Sequence, residues 1–289
     1  MFPADYFKYC SPECTMNNAF KGLSYYPNTL VDDGTGLLTL VKSSSKNGLV
    51  GRLPCKLFSN NVLNTEFKET FKDLDFCAFI NFNSYKLNTL HLDSSLCRGI
   101  KFPPDLLVNN VNLTSIEGLF YNIEIEVGVD INSNLLENNI KLTNISNLFR
   151  NVLFSEYNYY GVTEGEYSQV PFDTLLKNCT ELQNVSSLFA VDSVDDSDRG
   201  LRIIESQLFG SSEVDGVLVP DNSRITNVSG MFYNNRRLKG TIPLFDPGSY
   251  TRITQYTNYV EGVSKNFIIN ANTFISSHTG NWIPQTWLE

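Results

Sequence analysis

The residues with the most obvious chemistry lie in the run Asp192–Gly200, where Asp192, Asp195, Asp196 and Asp198 precede Arg199 and Gly200. Alternating carboxylates that end in glycine suit a calcium loop, because a hard cation takes several oxygen ligands around a tight turn. The order does not fit an EF-hand and no Glu holds the bidentate position, so the expectation is a solvated acidic insert. A glycosidase needs only two carboxylates, and Asp195, Asp198 and Glu205 would be its candidates here, but nothing in the pattern singles them out. Cys10 and Cys14 have the spacing of half a metal site. No second close pair exists, and His91 and His278 are far off in sequence, so the six cysteines are expected as buried or free thiols. Disulfides are possible in such a chain but not required by its size.

Tyr157, Tyr159, Tyr160 and Tyr167 share one segment with Glu156, Asn158 and Glu164. Tyrosine and asparagine together make an adaptable contact surface at low entropic cost, so these four tyrosines are the candidate ligand-binding residues, stacking on a sugar or a partner protein. The alternative is that the rings cover an edge of the fold. No nucleophile elbow, phosphate loop, dinucleotide fingerprint or histidine metal cluster occurs, so the chain is expected to be no enzyme and to need no cofactor.

Whatever positions these residues must be built from a repeat. An apolar doublet recurs with a second doublet 13 residues later, the pairs starting at Tyr6 and Ala19, Leu57 and Thr70, Leu106 and Leu119, Leu135 and Leu148, and Leu175 and Leu188. The residues between agree as well: Leu113 and Ile116, Leu142 and Ile145, and Leu182 and Val185 fall at matching places. A further, interrupted copy runs from Leu208-Phe209 to Met231-Phe232. Proline ahead of the doublet suits the first turn of a short helix. Asn178, two residues past its doublet, reads as a left-handed residue ending that turn. Leu182–Val185 reads as a short strand, and Ser186 or Ser229 as the cap of a second short helical turn. No such unit can bury its apolar side alone, whereas stacked neighbours can.

The predicted fold class is therefore α/β, an irregular solenoid with short strands and short helices in each coil. Residues 1–245 hold about six repeats, and 246–289 form a C-terminal extension or capping segment. Repeat length varies most through inserts at about 27–50, 72–100, 152–169, 190–207 and 210–222, where a solenoid places partner-specific loops. The sequons at Asn112, Asn144, Asn178, Asn184 and Asn227 all fall inside the repeat, so they report architecture and not glycosylation.

The pattern of proline, Leu-Phe, Asn, then Leu-x-x-Ile/Val and Ser-x-Met/Leu-Phe-x-Asn resembles the BspA-type leucine-rich repeats. It also resembles short Asn-rich repeats of Mycoplasma and Bacteroidetes surface proteins and of phages that infect gut Bacteroidetes. The segment Ile225–Pro243 carries the likeness best, and it extends intermittently over residues 2–245. The resemblance implies a non-catalytic binding or adhesion module of a cell-surface, secreted or virion protein, contacting protein or glycan. The alternative is a purely structural virion or scaffold component, among other subunits of a virion or surface assembly. The irregular repeat length departs from the family and argues against a smooth horseshoe.

Composition narrows the classes further. The net charge of −9, with only 22 Lys and Arg in 289 residues, argues against a nucleic-acid partner. No apolar run reaches the length of a bilayer span, and the N-terminus lacks the pattern of a signal peptide. Asparagine supplies 33 residues, about one in nine, as expected of a turn-rich or ladder-forming chain. The uncapped start at Phe2 and the ending Leu288-Glu289 fit an excised fragment, or else both ends are native.

Overall fold

A computed structural model describes residues 7, 14–22, 24–25, 28–32, 38–42, 51–52, 57–59, 61–76, 100–101, 106–127, 135–156, 174–196, 199–201, 203–204, 208–209, 211–214, 217–220, 224–240 and 252–277. Its organising feature is a parallel ladder of nine-residue rungs. The rungs are 14–22, 65–73, 114–122, 143–151, 183–191, 226–234 and 254–262. Isolated parallel bridges link Glu66, Ser115, Asn144, Asn184, Asn227 and Gln255 in sequence order. The ladder thus runs on past residue 245, into a rung where Tyr259 and Val260 replace the Leu-Phe doublet.

Each rung is two tight turns. In 143–151, Leu148 N–H closes on Ile145 C=O at 3.2 Å and Arg150 N–H on Asn147 C=O at 3.1 Å. Four other amides point to the next rung: Ile145, Asn147, Phe149 and Asn151 donate to Asn184, Ser186, Leu188 and Ala190. The same four bonds join 114–122 to 143–151 and 226–234 to 254–262. These donations run from earlier rung to later. The reverse direction is served at the start of the rung, where Asn184 N–H returns to Thr143 C=O at 3.0 Å. Backbone polar groups inside a fold must find partners, and this alternation between turn and neighbour satisfies them without a regular helix or long strand.

The turns need left-handed backbone at a fixed place, two residues before the second doublet's last member. Asn18, Glu69, Gly118, Asn147, Ser187, Gly230 and Asn258 all have φ between 49° and 62° there. Asparagine tolerates this region best among residues with a side chain. The structure moves the left-handed position away from Asn178, whose φ is not positive. Instead Cys179, one residue on, turns inward beside the doublet, as Asn61, Asn110 and Asn139 do in their own copies. Ser186 and Ser229 are not caps either. Their amides donate to the Oδ1 atoms of Asn184 and Asn227 at 3.1 and 3.0 Å, so the asparagine two residues earlier organises the turn. The short helices expected at the doublets are, in the described copies, turns closed by i to i−3 bonds such as Asn110 N–H to Leu107 C=O.

The core follows the ladder. Phe20, Phe71, Phe120, Phe149, Phe189 and Phe232 stack with centroids 5.4–6.0 Å apart and planes within 19° of parallel. First doublets such as Leu106-Leu107, Leu135-Leu136 and Leu175-Leu176 are buried beside them. Further strands pair between rungs, β1 (Ser24–Tyr25) with β5 (Asp75–Phe76) and β9 (Ile203–Ile204) with β12 (Lys239–Gly240). A four-stranded parallel sheet takes β4 (Gly51–Arg52), β6 (Ile100–Lys101), β7 (Glu124–Val127) and β8 (Leu153–Glu156) in that order. Two inserts contain antiparallel hairpins, β2 (Asn28–Asp32) with β3 (Leu38–Lys42) and β10 (Ser211–Val214) with β11 (Val217–Pro220). Helix α1 (Lys265–Ser277) packs Phe267 against Phe232.

Candidate functional site

Because rungs stack in register, the residue after each column phenylalanine forms a column of its own, which lies outside the core except at the buried Ala190. That column reads Lys21, Lys72, Tyr121, Arg150, Ala190 and Tyr233. Over the first four rungs it joins Lys68, Glu69 and Glu117 into a charged strip. Lys21 and Lys72 both bind Glu69, at 2.5 and 3.0 Å, and Lys68 binds Glu117 at 3.1 Å. Partial burial pushes the Glu69 carboxyl up, but the hydrogen bonds from Lys21 and Lys72 outweigh it and hold the carboxyl below its ordinary value. The hydrogen bond to Glu117, with its charge, raises the Lys68 ammonium.

Tyr121 is the centre of the strip. The Lys72 ammonium lies 4.3 Å from its ring centroid and the Arg150 guanidinium 5.3 Å. Both cations are attracted to the ring quadrupole. The phenol donates to Asp192 Oδ2 at 2.9 Å, and Arg150 Nε donates to Asp192 Oδ1 at 2.6 Å. Burial, then the hydrogen bond to Asp192, push the phenol above its ordinary range, so it remains a donor at neutral pH. Gly118, three residues before the tyrosine, has φ 62°, and a Cβ there would lie 3.1 Å from Glu69 Cγ. A side chain there would therefore press on Glu69.

A second column anchors the strip from beneath. Asn122 Nδ2 donates to Asp73 Oδ1 and Asn151 Nδ2 to Asn122 Oδ1, both at 2.7 Å, and Asp192 N–H donates to Asn151 Oδ1 at 3.3 Å. Asp192 is thus fixed from two sides, and its carboxylate is taken up by Arg150 and Tyr121. That use differs from a cation ligand in an open acidic loop. Within the same run Asp196 N–H bonds Ser193 C=O, Arg199 reaches Asn151 C=O, and Asp195 and Asp196 are exposed. Among the described residues no group of three His, Cys, Asp or Glu is arranged to hold a metal.

The expected ligand-binding residues Tyr157, Tyr159, Tyr160 and Tyr167 lie outside the described residues, as do Asp198, Glu205 and Cys10. Sequence reasoning misses the strip because variable repeat length points to the inserts instead. A signal for it exists in the repeat alignment, as the column after each Phe, which carries Lys21, Lys72 and Arg150 around Tyr121 and then no charge at Ala190 and Tyr233. Cys179 is buried, and burial alone pushes its thiol up to about 12, which suits a small packing residue and not a nucleophile. The sequon asparagines have structural duties: Asn112 and Asn178 donate to Val62 and Glu137 carbonyls of neighbouring copies, and Asn144, Asn184 and Asn227 organise turns. No described helix is long and apolar enough to cross a membrane. Comparison with protein-family models, curated proteins and solved structures finds no match to this chain.

Proposed function

We propose that the chain is an irregular, leucine-rich-repeat-like solenoid acting as a non-catalytic binding module, part of a cell-surface or phage virion protein that contacts protein or glycan. The observation that carries this reading is the strip of Lys72, Tyr121, Arg150 and Asp192. It presents an aromatic ring flanked by cations on rungs 114–122 and 143–151, each hydrogen-bonded to the rungs before and after it. A rigid display of ring, cation and carboxylate favours recognition, because few groups lose freedom on binding. The Glu69 carboxyl, held below its ordinary value by Lys21 and Lys72, is an ionised acceptor, which suits contact and not proton transfer. The open edges of the ladder favour a second reading, a purely structural component of a virion or scaffold.

The test is binding of the whole chain to a glycan array and to intact Bacteroidetes cells, the surfaces that the repeat resemblance implies. Saturable binding that weakens at least tenfold in Tyr121→Ala and Arg150→Ala supports the module and places its face. Binding unaltered by both variants moves the face elsewhere, with Tyr157, Tyr159 and Tyr160 next in line. Absence of binding favours the structural reading.

A further inference from the structure

The ladder's hydrogen bonds have a direction, and its two ends are therefore different. Every rung but the last gives alternate amides to the rung after it. In the last rung, the amides of Asn258, Val260 and Gly262 occupy the donor places filled by Gly230, Phe232 and Asn234 in the rung before, and they find no acceptor among the described residues. In the first rung, the carbonyls of Asn17, Ala19 and Lys21 occupy the acceptor places of Glu117, Leu119 and Tyr121, and they accept no hydrogen bond among the described residues. Among the described residues, one end is a row of free donors and the other a row of free acceptors, at the same alternating spacing.

We propose that the chain stacks head to tail on a second copy of itself, the first rung of one copy continuing the ladder beyond the last rung of the other. Asn258, Val260 and Gly262 then donate to Asn17, Ala19 and Lys21 of the next copy, as Asn147, Phe149 and Asn151 donate to Ser186, Leu188 and Ala190 within the chain. The return bond is available too, from Thr15 N–H to Thr254 C=O, matching Asn144 N–H to Thr114 C=O. The side-chain columns agree with this continuation. Lys21 falls beside Glu261, which holds the same rung position. Both edges are accessible: Asn18, Ala19 and Lys21 are exposed at one end, and Asn258, Glu261 and Gly262 at the other. Helix α1 leaves the last rung and packs backwards, with Phe267 on Phe232 and the Ser264 hydroxyl donating to Leu238 C=O.

An interface between unlike surfaces does not close on itself, so association should give an open series of dimer, trimer and longer species. Such exposed hydrogen-bonding edges are the template for this kind of pairing. The inference does not depend on any ligand, and a failure of glycan or cell binding leaves it untouched.

The experiment is sedimentation velocity of the whole chain across micromolar to millimolar concentration. The expected result is a concentration-dependent open series, with amide exchange at Asn258, Val260 and Gly262 slowing as the series grows. Glu261→Lys should weaken self-association by roughly tenfold. Because this exposed change spoils one end only, adding the variant to the unaltered chain should shorten the series by terminating it. Lys21→Glu, checked for an unchanged melting profile, should be equally weak alone. Mixing the two variants should restore association between unlike copies, because the two reversed charges then meet as opposites across the interface. A chain that stays monomeric throughout overturns the proposal. So does association that stops at a closed dimer, or that ignores Glu261→Lys.

Discussion

The inner columns and the outer strip grow from the same rungs, yet different physics holds them. Inside, Phe149 stacks between Phe120 and Phe189, and Asn139 Nδ2 donates to the carbonyls of Asn110 and Leu107 at 2.9 and 3.4 Å. Outside, Lys21, Glu69 and Lys72 pair in reach of water, with Lys21 39% exposed. Apolar burial and buried hydrogen bonds are costly to break because water cannot replace the lost partner. Partly exposed ion pairs are cheap to break because water can. The inside should therefore set stability, leaving the strip free to vary with its partner.

The largest effect is expected from Phe149→Ala, which removes a fully buried ring in mid-stack. The loss should be about 3–5 kcal/mol, read as a fall in the midpoint of denaturant unfolding. Phe20→Ala should cost less, since its rung is the first of the ladder and its neighbours Asn18, Ala19 and Lys21 are exposed. Equal losses at both positions would mean that the end rung is packed as tightly as the middle, against the picture of an open edge.

Next in size is the buried asparagine column. Asn139→Ala removes two buried hydrogen bonds, while the carbonyls of Leu107 and Asn110 keep the amides of Asn110 and Leu113 as donors, so the cost should be about 1 kcal/mol. Where the column passes to Cys179, its Sγ lies 4.0 Å from Leu136 C=O, a weak interaction in place of an amide bond. Cys179→Ala should accordingly cost less than Asn139→Ala when both are followed by chemical denaturation. The reverse ranking would show that the column works through packing volume and not through hydrogen bonds.

The backbone left-handedness offers a smaller and opposite effect. Ser187 has φ 52°, a conformation that a serine side chain makes unfavourable and glycine accepts. Ser187→Gly should leave stability unchanged or raise it by up to about 1 kcal/mol, despite the greater freedom of glycine in the unfolded chain. Gly118→Ala should destabilise, because its Cβ presses on Glu69 Cγ at 3.1 Å and the φ of 62° remains. Paired melting curves of these two variants report whether rung geometry is set by the turn or by its surroundings.

How much of this is legible in the sequence depends on what each residue type can signal. The 13-residue spacing locates the doublets, and Leu106, Leu119, Leu135, Leu148, Leu175 and Leu188 are all buried, since apolar periodicity reports burial directly. Asparagine is harder to read because its three duties look alike in a sequence. Asn110 and Asn139 supply inward amides, Asn147 and Asn258 take left-handed backbone, and Asn184 and Asn227 organise turns. In Asn138-Asn139 the two neighbours even point opposite ways, Asn138 to the carbonyl of Val108 at the surface and Asn139 into the core. The last rung hides because Gln255, Tyr259 and Val260 replace the usual Asn, Leu and Phe. The strip is invisible for a different reason: its residues change from rung to rung, and only stacking brings Tyr121 and Asp192 together across 71 positions.

The smallest expected effect tests the strip itself. At Glu69 the hydrogen bonds from Lys21 and Lys72 hold the carboxyl below its usual value of 4.5, so its ionised form is favoured by folding. Its stabilisation is therefore present above pH 4.5 and lost as pH falls through the lower folded value. Glu69→Gln removes this contribution at neutral pH, and with the strip's cations in contact with water the cost should be about 0–1 kcal/mol. Two signatures separate an ion pair from packing. The gap between Glu69→Gln and the unaltered chain should narrow as pH drops below 4.5, and it should shrink in about 1 M salt, where screening reaches only about 3 Å. A loss above about 2 kcal/mol that persists in acid and salt would make Glu69 part of the scaffold, beyond what a partly exposed pair supplies. The division between a structural inside and an adaptable outside would then fail at this rung.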